Sequence, residues 1–492
     1  MDSADKLRKK RSCQGDVVFD ENEDEPSAYN LDPTARAREI AENNEIEFED
    51  PFEDEYAEED DEYDAEMEES DADEAEIDTN ALKAGEDSQQ QEDPYRIFQP
   101  GIDTLNPGEV LDYDSKAYDM LHVMRMDHPC LSFDVITDKL GYQRKKFPHT
   151  IYIVSGSQAE EGSENRVSAM RMSRLHRTKY DDDDDEPNMD DSEDSANDTD
   201  EEAEVETKWV PHNGTVNRLR AMPQKNSVVA TISEAKEAHI YDMSWCITAL
   251  DIPLPRSKNR SDTILYSFSG HREEGYALDW SSVVPGSLAT GDCSGRIYIW
   301  HMREAGVWEV GESPLRHDAS VEDVQWSPTE NTVLASCGVD RSIRIWDTRT
   351  SKNLVLESSK HDSDINVIHW NRSVSNLLVS GGDDGVFKIW DMQQFSKPLY
   401  TFDWHKGPIT SVEWSPHEPS VLAISSEDDS VTMWDLSLTK DPEEASTFPP
   451  QLLFLHQGQN CIKEVHWHKQ IPGVLISTSL DGFNVWKPNL DG

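Results

Sequence analysis

The feature that most constrains this chain is a pattern that recurs four times between Gly270 and Trp434. Each copy opens with a histidine and closes with a tryptophan, always 29 residues apart: His271 to Trp300, His317 to Trp346, His361 to Trp390 and His405 to Trp434. Before each closing tryptophan, apolar and polar residues alternate, which places the apolar side chains on one face of a β-strand. Repeats of roughly 40–45 residues with Trp-Asp endings predict four-stranded propeller blades, which stack around an axis because one blade cannot bury its own faces.

Further blades are predicted on both sides of these four copies. Strands at 150–154 and 166–171 indicate an early blade, and His212 opens the next. A final copy runs from His456 to Trp486, which brings the expected total to seven blades. Only six residues follow Trp486, too few for an outer strand, so we expect an N-terminal strand at 131–136 to close the ring. Ahead of it we predict an amphipathic helix over 117–126, capped by Asp114 or Ser115.

The repeats resemble those of WD-repeat proteins, in which the histidine, a strand Ser or Thr, a turn Asp and the tryptophan form a buried hydrogen-bonded set. This resemblance implies two structural sets: His317, Ser336, Asp340 and Trp346, then His361, Ser380, Asp384 and Trp390. The other two copies depart from the pattern, because Ser294 replaces the Asp after Thr290, and Ile424 replaces the Ser before Asp428. We therefore expect those two blades to be held less tightly. We interpret the histidines as structural, since four equivalent catalytic sites would make no sense.

The net charge is −55, from 45 Lys and Arg against 100 Asp and Glu, and two tracts concentrate it. Residues 42–78 contain 22 acids, and residues 181–206 contain 16, both without any Lys or Arg. Such tracts bury too little apolar surface to offset the entropy of ordering, so we expect both to be disordered. They are either solubilising segments or polyanions that engage a very basic partner. The same charge makes direct nucleic-acid binding unfavourable.

The remaining composition indicates an intracellular protein without a catalytic site. The six cysteines show no C-x-x-C pair, and no apolar run predicts a secretory signal or a membrane span. The basic cluster from Lys6 to Arg11 is typical of nuclear import signals read by import receptors. There is no Gly-rich phosphate loop and no metal-ligand spacing, so we expect no catalytic residue, metal or cofactor.

These observations predict an all-β fold: a seven-bladed WD-repeat β-propeller with an N-terminal helix and disordered acidic segments. We divide the chain into a disordered acidic region with the basic cluster (1–93), a region with the N-terminal helix, closing strand and first-blade strands (94–180), a disordered acidic loop (181–207) and the remaining blades (208–492).

The segment from Tyr118 to Leu131 resembles the N-terminal part of the retinoblastoma-binding histone-chaperone WD-repeat proteins, which usually have Trp where His128 stands. The insertion at 439–451 resembles the partner-binding loop of that family. In the family, the N-terminal helix and this loop form a groove that holds a basic histone helix. The resemblance therefore implies a groove with these binding residues: Tyr118, Leu121, Asp441, Glu443, Glu444, Pro449 and Pro450.

Together with the acidic N-terminus, residues 32–36 and residues 129–134 give a narrower resemblance, to the glutamate-rich WD-repeat family of ribosome-assembly factors. That resemblance implies a dedicated chaperone of a newly made, basic large-subunit ribosomal protein (the third in large-subunit naming), which it delivers to nucleolar pre-60S particles. It also implies a location in the nucleus and nucleolus with a cytoplasmic pool, and no membrane partner. Positions just after the opening histidines lie near a face that often docks partners, which here includes Glu273, Glu274, Tyr276, Glu322, Asp364 and Asn366.

Two alternative functions stay open from the sequence. The chain could be a histone-binding chaperone or chromatin subunit, because the implied groove suits a histone helix. It could also be a substrate receptor of a cullin ubiquitin ligase, since residues 346–349 (Trp-Asp-Thr-Arg) fit the short motif of such receptors. Charge does not separate a histone from a ribosomal protein, because both are strongly basic.

Overall fold

The computed structural model describes residues 98, 103, 113–178, 202–252, 263–312, 314–349, 354–358, 360–439 and 448–490. In chain order, the strands of the first half are β1 (Tyr118–Arg125), β2 (Cys130–Ile136), β3 (His149–Ser157), β4 (Arg166–Leu175), β5 (Glu204–Pro211), β6 (Val216–Met222), β7 (Lys225–Ser233), β8 (Ala238–Asp242), β9 (Ile264–Phe268), β10 (Ala277–Trp280), β11 (Leu288–Gly291), β12 (Arg296–Met302), β13 (Trp308–Val310) and β14 (Leu315–Arg316). The strands of the second half are β15 (Val321–Trp326), β16 (Val333–Gly338), β17 (Ile343–Asp347), β18 (Leu354–Glu357), β19 (Ile365–Trp370), β20 (Leu377–Gly382), β21 (Val386–Asp391), β22 (Tyr400–Asp403), β23 (Ile409–Trp414), β24 (Val421–Ser426), β25 (Val431–Asp435), β26 (Leu452–His456), β27 (Val465–Trp467), β28 (Leu475–Thr478) and β29 (Gly482–Pro488). One α-helix, α1 (Ser244–Asp251), and 3-10 turns at Ser115–Ala117, Gly162–Glu164, Glu304–Gly306 and Met392–Gln394 complete the described elements.

The strands form seven antiparallel sheets, which we number as blades 1 to 7. From the axis outward they are β2-β3-β4-β5, β6-β7-β8-β9, β10-β11-β12-β13, β15-β16-β17-β18, β19-β20-β21-β22, β23-β24-β25-β26 and β27-β28-β29-β1. In blade 3, β14 is a second short outer strand on β12. Each innermost strand contacts that of the next blade, and β27 contacts β2, so the ring is closed. The predicted seven-bladed propeller is confirmed.

The N-terminal segment corrects two predictions. Residues 118–125, predicted as a helix, form strand β1, which pairs with β29 and closes the ring. Residues 131–136, predicted to close it, belong to β2, the innermost strand of blade 1. The physical reason is the free edge of β29, whose backbone groups require a partner strand. Pairing Met124 with Phe483 and Leu121 with Trp486 satisfies that edge.

The hydrophobic core is divided among the interfaces between blades. Seven clusters of buried apolar side chains each draw on two consecutive blades, and the cluster of blades 7 and 1 also includes Met120 and Met124 of β1. Burial between neighbours explains why a blade depends on the complete ring for its stability.

Two local features differ from the sequence-based assignment. Helix α1, which we did not predict, packs Cys246 and Leu250 against blades 1 and 2. Strand β5 starts at Glu204, so residues 204–207 are strand, whereas we assigned them to the acidic loop. Of the helices in the described part of the chain, none has the length and apolar content needed to cross a bilayer.

Candidate functional site

The buried histidines take part in the hydrogen-bonded sets that tie the blades together. In blade 4, His317 Nδ1 lies 2.8 Å from Asp340 Oδ2, and Nε2 lies 2.6 Å from Ser336 Oγ. Trp346 Nε1 donates to the same Ser336 oxygen at 2.7 Å. Hydrogen bonding to His317 and Ser342 holds the pKa of Asp340 well below its ordinary value, although burial opposes this shift. The predicted set of this blade is therefore complete, and it is structural.

The two sets expected to be incomplete are in fact complete. In blade 3, Asp292 Oδ2 lies 3.2 Å from His271 Nδ1 and so supplies the carboxylate missing at Ser294. In blade 6, Thr432 Oγ1 lies 2.8 Å from His405 Nε2 and accepts from Trp434 Nε1 at 2.8 Å. The expectation of looser blades was wrong, because nearby residues provide the same chemical groups.

Blade 5 departs from the prediction in the opposite direction. Ser380 Oγ lies 2.9 Å from His361 Nε2 and accepts from Trp390 Nε1 at 2.8 Å, as predicted. However, Asp384 Oδ1 accepts from the backbone N–H of Val386, and His361 Nδ1 has no hydrogen-bond partner among the described residues. Burial, assisted by the charge of Lys388, lowers the pKa of His361 to about 3. Asp384 is thus a turn residue and does not complete the set.

The six residues predicted for the docking face lie at the end of the propeller where the innermost strands begin. Glu273, Glu274 and Tyr276 precede β10, Glu322 is in β15, and Asp364 and Asn366 flank the first residue of β19. We call this end the acidic face, because the turns between second and third strands add further acids there: Asp383, Glu427 and Asp429.

Several of the predicted side chains on the acidic face are brought together. Glu274 Oε2 accepts from Asn217 Nδ2 of blade 2 at 3.3 Å and from the Tyr276 hydroxyl at 3.4 Å. Asn366 Nδ2 donates to Asp383 Oδ1 at 3.4 Å and to a backbone carbonyl of blade 6. These contacts fix the orientation of the side chains that a partner would meet.

Like charges on the acidic face raise the pKa of two carboxyl groups. Burial and then the charge of Asp383 raise the pKa of Asp364. Burial, and among its neighbours Asp428, raise the pKa of Asp429. Such crowding favours a cation at this end of the molecule. Part of the charge is already balanced, since Lys236 pairs with Glu273 at 3.1 Å.

The predicted groove is only partly a surface. Tyr118 is 4 % exposed, its hydroxyl lies 2.8 Å from His456 Nδ1, and its ring packs edge-on against Phe454. Tyr118 is therefore a core residue, and its prediction as a binding residue was wrong. Leu121 packs partly buried against the same cluster, and Pro449 is half-buried in the turn before β26. Pro450 is exposed, whereas Asp441, Glu443 and Glu444 lie outside the described residues.

A charged network on the propeller axis was not predicted. Glu464 of blade 7 accepts from Ser132 Oγ and the Phe133 N–H of blade 1 at 3.0 Å each. It also pairs with Arg218 and Arg220 of blade 2 at 2.6 and 3.2 Å. These charges hold its pKa well below the ordinary value, although burial opposes the shift. The network bridges three blades and so strengthens the closed ring.

His466 extends this network to blade 6. Its Nδ1 lies 2.9 Å from Glu413 and its Nε2 lies 3.2 Å from Glu464. Burial disfavours the imidazolium, but the two carboxylates raise the pKa of His466 to about 9. The sequence signal is a polar residue directly before the Trp of an innermost strand, as in Glu413-Trp414 and His466-Trp467.

Arg349, on which the ligase-receptor alternative depends, is engaged within its own turn. Its Nη2 lies 2.7 Å from Asp347 Oδ2, and its Nε donates to both carboxylate oxygens of Asp347. The arginine side chain is 67 % exposed. This geometry is that of a solvated turn residue. Within the described ranges, His, Cys, Asp and Glu side chains form no group of three or more suited to a metal ion.

Comparison with known proteins gives two family matches. A family described as the histone-binding protein RBBP4, or a component of the CAF1 complex, matches residues 108–176, which include β1 to β4. The family described as “WD domain, G-beta repeat” matches residues 313–347, 352–391 and 396–435. The first match therefore covers the closing strand and most of blade 1, and the second covers parts of blades 4 to 6.

Three relatives resemble the chain over most of its length. The glutamate-rich WD repeat-containing protein 1 of Dictyostelium discoideum is 46% identical, over 97% of this chain and 98% of its own. Protein HEAT STRESS TOLERANT DWD 1 of Arabidopsis thaliana is 43% identical, over 80% and 92%. The ribosome assembly protein rrb1 of Schizosaccharomyces pombe is 38% identical, over 90% and 92%. The chain thus belongs to the glutamate-rich WD-repeat protein family of β-propellers.

Proposed function

We propose that this protein is a ribosome-biogenesis factor: a dedicated chaperone that binds a newly made basic ribosomal protein, the third in large-subunit naming, and delivers it to nucleolar pre-60S particles. The observation that carries the proposal is the similarity, over 90% of the chain, to a relative named as a ribosome assembly protein. The propeller scaffold supports a role in binding proteins rather than in catalysis.

The charge distribution supplies a physical mechanism. A free ribosomal protein has basic extensions that are made for RNA and would otherwise bind polyanions indiscriminately. An acidic face with fixed carboxylates, together with tethered acidic tracts of 22 and 16 acids, can mask such a client. Ribosomal RNA is the stronger polyanion, so the client can pass to it without an energy source.

We assign client binding to the acidic face. Glu274 and Asn366 have their side chains oriented by hydrogen bonds, and the raised pKa of Asp364 fits an environment that favours a cation. Groups held in such an electrostatically unfavourable arrangement are concentrated at functional sites. Glu322 lies on the innermost strand between these groups and completes the predicted set.

The proposed location follows from the proposed task. Assembly of pre-60S particles takes place in the nucleolus, whereas ribosomal proteins are made in the cytoplasm. We therefore propose a nuclear and nucleolar protein with a cytoplasmic pool. The basic cluster at 6–11 would bind import receptors; it lies outside the described residues.

Histone binding is the second candidate function. The match at 108–176 is to a family described as histone-binding, and it covers the closing strand and most of blade 1. The same match includes His128 and the buried Tyr118, so the side chains that would contact a histone differ from those first predicted.

Mass spectrometry of proteins bound to the tagged full chain tests both functions. The complex is washed at about 0.3 M salt, where exposed charges farther apart than about 6 Å are largely screened. One large-subunit ribosomal protein in near-equal amount would support the proposal. Core histones in near-equal amount would support the second candidate. Recovery of many basic proteins, each in small amount, would contradict both.

A further inference from the structure

A basic surface lies on the face opposite the acidic face, although the chain has 100 acids and only 45 basic residues. It is formed by the β2–β3 loop, residues 137–148, where Lys139, Lys145 and Lys146 are exposed. Arg177, which follows β4, is also exposed, and its guanidinium carbon lies 5.3 Å from the Phe147 ring centre. We define the basic surface as these four cationic side chains.

The loop that carries the basic surface is held in place by blade 7. Gln470 Oε1 accepts from the N–H of Asp138 at 2.7 Å, and Nε2 donates to the carbonyls of Asp138 and Gly141. The N–H of Arg144 donates to the Gln470 carbonyl at 3.2 Å. The lysines therefore project from a supported loop, and an exposed side chain, Tyr142 at 69 %, lies between them.

Two buried histidines respond to the positive potential near this loop. Burial, and then the charges of Arg144 and Lys487, lower the pKa of His149 to about 4. Burial, and then Arg144 and other nearby groups, lower the pKa of His468 to about 3. Both shifts have the direction expected beside a group of cations.

The acidic tract begins next to the basic surface. Leu175, at the end of β4, pairs with His149 at the start of β3, so the two loops emerge side by side. The described chain stops at Thr178, whose N–H donates to the Asp119 carbonyl at 2.9 Å. Six consecutive acids, 181–186, follow after two residues. Three residues of extended chain span about 10 Å, enough to place the first of these acids among the lysines.

We propose that the acidic segment 181–201 binds the basic surface of its own chain, on the face opposite the one that we assign to the client. A short tether gives the segment an effective concentration in the millimolar range, which an external RNA or acidic protein would have to exceed. Each exposed ion pair contributes little, so the affinity comes from several pairs and is sensitive to salt. The inference holds whether or not the proposed client is correct.

Carbodiimide cross-linking of the full chain at about 0.1 M salt, read by mass spectrometry, tests this inference. The reagent joins a lysine amine directly to a carboxylate that contacts it. We expect links from Lys139, Lys145 or Lys146 to residues 181–201, in the monomer band and with a yield independent of dilution. Links to residues 42–78 instead, links only between chains, or no links would overturn the proposal.

Two matched variants separate a specific contact from general attraction of acids to lysines. The first converts the five aspartates at 181–185 to asparagine, and it should lower the yield at least fivefold. The control converts five acids of the N-terminal tract, residues 58–62, to their amides, and it should leave the yield unchanged. Equal losses in both variants would overturn the proposal.

RNA binding is the competing outcome, tested with a labelled 12-nucleotide oligouridylate and the full chain. We expect weak RNA binding that rises about tenfold in the 181–185 variant, because the basic surface is then vacated. Tight binding to the unmodified chain that is lost in a Lys145→Glu, Lys146→Glu variant would identify the surface as an RNA site and overturn the proposal.

Discussion

Glu464 of blade 7 accepts a hydrogen bond from Arg218 of blade 2 at 2.6 Å, so a buried ion pair spans the intervening blade. The carboxylate side chain is 2 % exposed, and it also neutralises Arg220. Buried charges of this kind are destabilising unless their partners remain. The pair therefore makes blades 1, 2 and 7 depend on one another, at the same place where β1 joins the two ends of the propeller.

Replacing Glu464 by Gln should lower the free energy of unfolding by about 3–5 kcal/mol, because two buried guanidinium groups lose their counter-charge. Urea unfolding followed by tryptophan fluorescence measures this change. The matched control is Glu427→Gln, which removes a half-exposed partner of Lys463 and should cost less than about 1 kcal/mol. Similar effects of both variants would contradict the role of the axial network.

The stability should also depend on the protonation of His466. Its pKa in the folded protein is about 9, above the ordinary value of 6.5. The imidazolium therefore stabilises the fold fully below about pH 6.5, and this contribution is lost as the pH rises toward 9. The difference in unfolding free energy between wild type and His466→Gln should shrink by up to about 3 kcal/mol over that range.

The comparison with His466→Gln isolates this residue from other groups that titrate in the same range. Burial raises the pKa of Asp279 to about 7, so it titrates there too, but it does so in both proteins. Unfolding curves measured at several pH values would contradict the prediction if the two proteins lost stability in parallel.

The equivalent turn residues Asp340 and Asp384 should differ in their effect on stability. Asp340→Ala removes the carboxylate partner of His317 and should cost about 2 kcal/mol, since it leaves a buried nitrogen unpaired. Asp384→Ala removes no bond to a histidine and should cost less than about 1 kcal/mol. Thermal unfolding of both variants measures the difference. An equal loss would refute the assignment of these roles from the hydrogen bonds.

The number of blades could be predicted from the sequence because the His and Trp anchors recur at a fixed spacing. The closing strand could not. Tyr118 and Leu121 fit helical spacing, yet Tyr118, Met120 and Met124 are buried in the manner of a strand. What decides between the two is the free edge of β29, which lies more than 350 residues away and leaves no local signal.

The side-chain networks show a similar limit. Thr432 takes the place of a missing serine because it faces the same space as Trp434, two residues away on one strand. A sequence pattern that tests a single position does not detect this replacement. For Glu464, the sequence shows a polar residue in a buried strand, but its partner Arg218 comes from a blade that only the closed ring brings near.

The acidic face should contribute more to client affinity than the N-terminal tract. Reversing Glu274, Glu322 and Asp364 to Lys places six charge units of change where the carboxylates lie on ordered strands and loops. We expect the affinity for the ribosomal client to fall at least 100-fold, measured by biolayer interferometry at about 0.15 M salt. Deleting residues 1–92 should lower it less than tenfold, because an acidic tail contributes mainly through screened, long-range attraction.

A matched reversal on the opposite face distinguishes a specific site from general charge. The control changes three acids in the loops that follow β12, β15 and β23, to the same total charge: Glu304, Glu330 and Glu418. All three are exposed, so the fold should tolerate their replacement. Because long-range attraction depends on net charge, both triple variants should slow association similarly. Only the acidic-face variant should speed dissociation, since it alone removes contacts made in the complex. Equal dissociation rates would mean that the client binds elsewhere.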